Sequence, residues 1–311
     1  MATIWITGAK GFIGRNLAKF LADQGDIVFG VGHGVWQYED ARKWGVRGWI
    51  DGEIDALNLE QLMQVSGAPK VIYHLAGGAS VGASFQEPYF DLLRTVESSA
   101  RLLEWLRLNS PETSLVCASS AAVYGASHTG AISENAVIAP YSPYGMHKSM
   151  MENLCKSYAE NFGLQVAIVR LFSVYGFGLE KQLIWDLCNK LVSEDGALIL
   201  GGSGDELRDW LHVTDACSLL QLAGTLCDES CVAINGGTGI ATSIRDIAET
   251  VVSVWGNGMD IEFSGVARSG DPYSLIADCS LVTQLGFNPQ VILTEGLEDT
   301  VHRFRLRKNK L

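Results

Sequence analysis

A tyrosine and a lysine four residues apart, Tyr144 and Lys148, are the clearest candidates for chemistry in this sequence. At the start of a helical pattern this spacing places both side chains on one face of the helix. A lysine ammonium beside the ring should lower the pKa of the phenol, so that it exchanges protons near neutral pH. Ser119 and Ser120, at the end of a predicted strand, supply a hydroxyl that could polarise the same substrate oxygen. The set predicts acid–base chemistry at a hydroxyl or ketone carbon.

A glycine-rich segment directly after the first predicted strand is typical of a dinucleotide site. It runs from Thr7 to Gly14 and opens a helix. Glycines allow a tight turn and close approach of the backbone to a pyrophosphate, which the free N–H groups of the helix N-terminus would bind. The residues expected to contact the cofactor here are Gly8, Lys10, Gly11, Phe12, Ile13 and Gly14.

The end of the second predicted strand should select between NAD and NADP. A carboxylate there would bind the ribose 2′-hydroxyl of NAD. This chain has Gly32, His33 and Gly34 instead, and His33 with Lys10 could face a 2′-phosphate. We therefore expect NADP to be favoured over NAD. The alternative is that these groups are only solvated surface cations.

Short apolar runs alternate with helical patterns through the first half of the chain, as in repeated βαβ units. Strands are predicted at Ile4–Ile6, Ile27–Val31, Val71–Leu75, Leu115–Ala118 and Val166–Leu171, and helices at Phe12–Gln24, Glu60–Val65, Tyr89–Leu108 and Tyr144–Phe162. The fold class is thus α/β, a Rossmann-type doubly wound parallel sheet with a smaller C-terminal substrate-binding lid. Residues 1–174 would form mainly the dinucleotide-binding domain and 175–311 mainly the substrate-binding region, with part of 205–240 returning to the first domain.

Composition and charge exclude several classes of protein. The net charge of −12 disfavours nucleic acid and anionic membranes as partners. Apolar runs are broken by charge well short of the roughly 20 residues that a membrane span requires. The N-terminus shows no targeting pattern, and the seven cysteines have neither metal-binding nor redox spacing. We expect a cytoplasmic protein with reduced thiols and no metal.

Seven motifs in order resemble the NAD-dependent epimerase/dehydratase family, the extended branch of the short-chain dehydrogenases/reductases, typified by UDP-glucose 4-epimerase. They are Thr7–Gly14, His74–Gly77, Ser119–Gly125, Tyr144–Lys148, Arg170–Phe172, Arg208–Val213 and Arg268–Asp271. The resemblance implies that Tyr144 is the general acid/base, that Lys148 also holds the nicotinamide ribose, and that Ser120 is the catalytic hydroxyl. It also implies cofactor contacts from Glu53, Ile54, Leu75, Ala76, Gly77, Tyr144 and Lys148, and substrate contacts from Ser120, Ser173, Arg208 and Arg268.

Departures from the family pattern narrow the expected activity. No acid follows Ser120, so elimination of water by a 4,6-dehydratase is not expected, and Ser173 and Thr95 stand where asparagine is usual. We expect a 4-ketoreductase or 4-epimerase acting on a nucleotide sugar, whose pyrophosphate Arg208 and Arg268 would bind.

Two alternatives stay open. One is a reductase of a non-nucleotide ketone or alcohol, which would not need Arg208 and Arg268. The other is a non-catalytic NADP-binding sensor or scaffold, which would not need Tyr144 and Lys148. The apolar stripes of the helices at 89–108 and 144–162 are wide enough for both the sheet and a partner subunit. We therefore expect a homodimer through these helices.

Overall fold

The computed structural model describes residues 1–193, 197–256, 258–266 and 272–308. The strands are β1 (Thr3–Thr7), β2 (Ile27–Gly32), β3 (Val46–Asp51), β4 (Val71–His74), β5 (Ser114–Ser120), β6 (Ala131–Ile132), β7 (Val166–Leu171), β8 (Ser173–Tyr175), β9 (Leu198–Leu200), β10 (Leu207–Arg208), β11 (Trp210–His212), β12 (Val232–Gly236), β13 (Thr242–Ser243), β14 (Ile261–Phe263) and β15 (Ser274–Ala277). The helices are α1 (Phe12–Asp23), α2 (Tyr38–Lys43), α3 (Ala56–Ser66), α4 (Val81–Gln86), α5 (Pro88–Leu92), α6 (Ser98–Asn109), α7 (Pro143–Phe162), α8 (Gln182–Ser193), α9 (Val213–Ala223), α10 (Ile244–Trp255), α11 (Ser280–Gln284) and α12 (Leu293–Lys308).

The chain divides into two compact units, each built from three segments. Unit 1 comprises Met1–Gly125, Glu134–Leu171 and Ala216–Asn235, and unit 2 comprises Ala126–Ser133, Phe172–Asp215 and Gly236–Leu311. No helix within the described ranges is long and apolar enough to cross a membrane.

Unit 1 is organised on a sheet of seven strands in the order β12-β7-β5-β4-β1-β2-β3. The pairs from β7 through β5, β4, β1 and β2 to β3 are all parallel. Chain order runs outward in both directions from β1, which is the doubly wound pattern. The predicted Rossmann-type fold class is confirmed.

Alternate residues of these strands form one core with helices α3, α6 and α7. Trp5, Ile72, Cys117 and Ile168 belong to it and are almost completely buried. The intervening strand residues, such as Ile6, are buried as well. Burial on both sides explains why the strands read as continuous apolar runs.

Two strands of the seven-stranded sheet and the first turn of α3 were not predicted from the sequence. The edge strand β3 is half-exposed and holds charged residues and glycine, so it carries no apolar run. Strand β12 lies far along the chain from β7, its neighbour in the sheet. Helix α3 begins four residues before the predicted Glu60 because the Asp55 side chain caps it by accepting the Asn58 N–H.

Helix α7 carries Tyr144 and Lys148, and its start is fixed by three features. The Ser142 side chain accepts the Gly145 N–H as the N-cap, and Pro143 takes the first helical position. A side chain at Gly145 would put its Cβ 2.5 Å from the Ala122 carbonyl oxygen. The absent side chain therefore lets the first turn of α7 pack directly on the backbone that follows β5.

Unit 2 contains a four-stranded sheet, β13-β10-β15-β6, and the pairs β8–β11 and β9–β14. Its core joins α8, α10 and α12 through buried residues such as Leu187, Val251 and Phe304. Asp209 is completely buried and accepts hydrogen bonds from Thr238 N, Thr238 Oγ1, Gly239 N and Ala277 N. The carboxylate thus ties β10 to the segments around β13 and β15.

Candidate active site

The glycine loop after β1 has the geometry of a pyrophosphate site. Gly8 has a φ of +71°, and a Cβ there would lie 3.0 Å from Ala76 N. A Cβ at Gly14 would lie 2.3 Å from the Gly8 carbonyl oxygen. Gly11 caps α1 without a side-chain hydrogen bond, so the first N–H groups of the helix remain available to an anion. These residues fit a dinucleotide cofactor.

A buried hydrogen-bond chain through His74 holds this loop against β4. Ser99 Oγ donates to the Thr95 carbonyl (2.5 Å), so His74 Nε2 must donate to Ser99 Oγ (2.9 Å). His74 Nδ1 then accepts from Thr7 Oγ1 (2.7 Å), which itself accepts the Ala76 N–H. Burial, reinforced by the charge of Lys148, lowers the pKa of His74 to about 3. The imidazole is therefore neutral and fixed in one tautomer.

The structure brings together the three predicted catalytic side chains. Ser120 is the last residue of β5, and its side chain is close enough to the Tyr144 phenol to affect the pKa of that phenol. Lys148 Nζ lies 6.0 Å from the centre of the Tyr144 ring and donates to the Ala118 carbonyl at 2.8 Å. The Tyr144 N–H donates to the buried Ser84 hydroxyl (3.0 Å). The Ala118 carbonyl therefore orients Lys148, and the Ser84 hydroxyl holds the backbone at Tyr144.

The expected lowering of the Tyr144 pKa is wrong for the protein alone. Burial raises this pKa, the hydrogen bond with Ser120 counteracts the rise, and the charge of Asp91 adds to it. Burial also lowers the pKa of Lys148. Desolvation disfavours both the phenolate and the ammonium, and it outweighs the lowering of the Tyr144 pKa that the spacing of Tyr144 and Lys148 predicts. Tyr144 therefore starts as a proton donor at neutral pH.

A buried ion pair joins the two strands and the helix that carry these groups. Glu152, one turn after Lys148, receives hydrogen bonds from Arg170 Nε (3.1 and 3.2 Å) and Nη2 (2.7 Å) and from Ser119 Oγ (2.5 Å). Arg170 Nη1 also donates to the Tyr124 hydroxyl (3.0 Å), which donates to Asn235 Oδ1 (2.7 Å). Glu152 was not among the predicted site residues, although the spacing of residues 144, 148 and 152 places it on the same helix face as Tyr144 and Lys148.

Both predicted cations and two carboxylates make contacts at the loop that follows β2. Lys10 Nζ donates to the Val35 carbonyl at 2.9 Å, and His33 Nε2 lies 3.5 Å from Glu53 Oε1. Asp51, which the sequence analysis missed, accepts the Gly34 N–H at 2.6 Å. The neighbouring Ile54 is buried. Charges of both signs therefore surround the place where a ribose 2′-substituent is expected.

Of the predicted substrate residues, Ser120 belongs to unit 1, and Ser173 and Arg208 belong to unit 2. Arg208 ends β10 and donates through Nη1 to the Leu207 carbonyl at 2.9 Å. The Ser173 N–H donates to the carbonyl of Asp209 at 3.0 Å, so Ser173 and Arg208 flank one buried residue. Arg268 lies outside the described residues.

Two other predictions concern metals and thiols. Within the described ranges no group of His, Cys, Asp or Glu side chains could hold a metal ion. All seven cysteines are free thiols.

Three solved structures that are similar to this chain are named as enzymes of nucleotide-linked sugars. The UDP-glucose 4-epimerase of Thermotoga maritima, solved with UDP-glucose, has a TM-score of 0.88 and 26% identity, with 98% of this chain and 99% of that chain covered. The UDP-glucuronic acid 4-epimerase of Bacillus cereus, solved with its substrate and NAD, has a TM-score of 0.87, 26% identity and the same coverage. TunA, an NAD-dependent NDP-hexosamine 5,6-dehydratase, has a TM-score of 0.85 and 25% identity, with 99% of each chain covered.

The model of the NAD dependent epimerase/dehydratase family matches residues 4–232, which include the glycine loop, Ser120, Tyr144 and Lys148. The match covers well over half of the chain, and it confirms the family that the seven sequence motifs predict. The protein is an NAD(P)-dependent enzyme of the extended short-chain dehydrogenase/reductase type, and it belongs to the NAD dependent epimerase/dehydratase family.

Proposed function

We propose that this protein interconverts a hydroxyl and a ketone at the 4-position of a nucleotide-linked sugar, as a 4-epimerase or 4-ketoreductase. The observation that carries the proposal is the clustering of Ser120, Tyr144 and Lys148 within the unit that also holds the glycine loop. The family supplies NAD-dependent chemistry, and two of the similar structures hold UDP-linked sugars.

Each residue of the site has a defined task in this proposal. The Gly8–Gly14 loop and the N-terminus of α1 bind the cofactor pyrophosphate. A cofactor bound there would supply hydride transfer at its nicotinamide, and the oxidised ring would add a positive charge. Tyr144 moves the proton on the sugar oxygen, Ser120 polarises that oxygen, and Lys148 holds the ribose.

Ala121 and Ala122 argue against 4,6-dehydration. Both are buried, and they follow Ser120 where an acid would be needed to eliminate water. A 5,6-dehydratase shares the fold, so the distinction depends on these side chains and not on the architecture.

The test is to incubate the purified protein with a panel of UDP- and GDP-linked sugars and their 4-keto forms. Steady consumption of reduced cofactor with a 4-keto sugar indicates the reductase, and interconversion of two sugars without net consumption indicates the epimerase. Release of an unsaturated or deoxy-keto sugar from a substrate that is not a ketone would show dehydration and contradict the proposal.

Replacing Arg208 with alanine should weaken nucleotide-sugar binding by about 30- to 1000-fold, or ~2–4 kcal/mol, because a charge-assisted hydrogen bond to phosphate is lost. Cofactor affinity should be unchanged. Titration calorimetry with each ligand measures both effects. Arg303, an exposed arginine of unit 2 paired with Asp299, gives the matched control R303A. Equal loss of cofactor affinity in R208A would contradict the assignment.

We propose a modest preference for NADP over NAD. It is supported by Lys10 and His33 and by the absence of a carboxylate at residues 32–34, while Asp51 and Glu53 act against a 2′-phosphate. NADP should therefore bind about fivefold more tightly, since an exposed ion pair contributes up to about 1 kcal/mol. Fluorescence titration should show a smaller difference between the affinities for NADP and NAD in Lys10→Ala and in His33→Ala. Tighter NAD binding that these changes leave unaltered would contradict it.

We propose that the protein is a homodimer through α5, α6 and α7. Large apolar side chains are exposed on these helices, including Phe90, Leu108, Met146, Met150 and Phe162. Met146 and Met150 are one turn apart, so a charge at Met150 would be buried in such an interface. Sedimentation should show a dimer that Met150→Glu converts to a monomer. A monomeric unaltered protein would contradict the proposal.

A further inference from the structure

Asp91 and His147 form a buried pair beside the catalytic residues that the proposed mechanism does not use. Each is 7% exposed, and His147 Nδ1 lies 2.6 Å from Asp91 Oδ2. A carboxylate can only accept, so the imidazole donates its Nδ1–H. His147 lies inside the Tyr144–Lys148 interval of α7, and Asp91 belongs to α5. One carboxylate is thereby fixed against the helix that carries the proton donor.

Two consecutive glycines place this carboxylate near the catalytic lysine. A Cβ at Gly77 would lie 3.3 Å from Lys148 Nζ, and a Cβ at Gly78 would lie 1.9 Å from Asp91 Oδ1. The ammonium and the carboxylate therefore contact neighbouring residues of one dipeptide. The Gly78 N–H is held by Thr95 Oγ1 at 2.8 Å, which keeps this dipeptide in place.

The other titratable groups that act on Lys148 are already neutral or compensated. Glu152 is paired with Arg170, and His74 is a neutral imidazole. Cys155 Sγ donates to Cys117 Sγ (3.5 Å), and the pKa of Cys155 lies well above its ordinary value. Tyr144 is a neutral phenol. Among these groups, Asp91 alone supplies a negative charge that no arginine or lysine neutralises.

We propose that Asp91, held by His147, is the counter-ion that keeps Lys148 charged in its buried position, and that both are positioning residues for the Tyr144–Lys148 pair. The inference rests on the proposed function in assigning the chemistry to that pair. Burial favours the neutral form of the Lys148 amine, and the charge of Asp91 acts against that effect of burial.

The direct test follows the ionisation of Lys148 in the full-length protein by NMR, without any turnover. The chain has ten lysines, so selective 13Cε labelling gives a tractable spectrum. The Lys148 signal is assigned by its loss in Lys148→Met. In Asp91→Asn the titration midpoint of this signal should move down by about one pH unit. Asp40→Asn, which removes an exposed carboxylate paired with Lys43, should leave it in place. An unchanged midpoint in Asp91→Asn would overturn the proposal.

Variants of His147 test whether the imidazole holds the carboxylate. A glutamine side chain can still donate a hydrogen bond to Asp91, whereas a leucine side chain cannot. His147→Leu should therefore lower the titration midpoint of Lys148, whereas His147→Gln should keep the midpoint close to that of the unaltered protein.

In turnover, Asp91→Asn should reduce kcat about tenfold or more and narrow the pH range of activity, with KM for cofactor little changed. Failure of the proposed function would appear as full activity in Tyr144→Phe. Failure of this inference alone would appear as loss of activity in Tyr144→Phe with no Lys148 shift in Asp91→Asn or His147→Leu.

Discussion

Replacing Tyr144 with phenylalanine should reduce turnover by about 10²- to 10⁴-fold, the usual contribution of a general acid/base. Hydride transfer at a sugar carbon requires a proton to move on the attached oxygen, and the Tyr144 hydroxyl is the group placed to move it. The substitution removes one oxygen, so cofactor and nucleotide-sugar affinities should remain within about twofold, a few tenths of a kcal/mol. The measurement is sugar interconversion, or consumption of reduced cofactor, under substrate saturation.

Two further variants separate chemistry from structure in this experiment. Ser120→Ala should reduce the rate less than Tyr144→Phe, because a polarising hydrogen bond is lost while proton transfer remains. Tyr158, on the same helix, directs its hydroxyl to Glu104, so Tyr158→Phe is the matched control and should retain full activity. Turnover near the unaltered level in Tyr144→Phe would show that another group moves the proton.

Replacing Glu152 with alanine should lower the free energy of unfolding by about 3–5 kcal/mol, because it leaves Arg170 charged, buried and unpaired. Burial acts to lower the pKa of Arg170, but the hydrogen bonds and charge of Glu152 outweigh it and the pKa is raised. The guanidinium therefore cannot escape the cost by losing its proton. Urea unfolding followed by circular dichroism measures the loss.

The same helix offers a control for this experiment. Glu160 pairs with Lys156 at 3.7 Å on the exposed face of α7. Glu160→Ala should change the stability by less than about 1 kcal/mol, the usual contribution of a surface ion pair. Similar losses in both variants would mean that the buried pair has no special role in stabilising the site.

Features set by local sequence were predictable. The strands with continuous apolar runs, the glycine loop and the spacing of Tyr144 and Lys148 all depend on residues close together in the chain. The pairing of Asp91 with His147 spans 56 residues and that of Glu152 with Arg170 spans 18, and no local pattern marks either pair. The Tyr144 pKa was misjudged for a related reason, because desolvation depends on tertiary packing that the spacing does not reveal.

The late position of β12 has a consequence for synthesis and truncation. Strand β7 leaves the ribosome more than sixty residues before β12, its outer neighbour in the sheet, and Asn235 at the end of β12 accepts the Tyr124 hydroxyl. Until β12 has been synthesised, the edge of β7 that pairs with it has no partner strand. Every residue of β7 is buried in the finished protein. Exposed apolar edges pair readily with other chains. A fragment ending at residue 174 should therefore aggregate, and nascent chains of that length need protection until residue 236 has emerged.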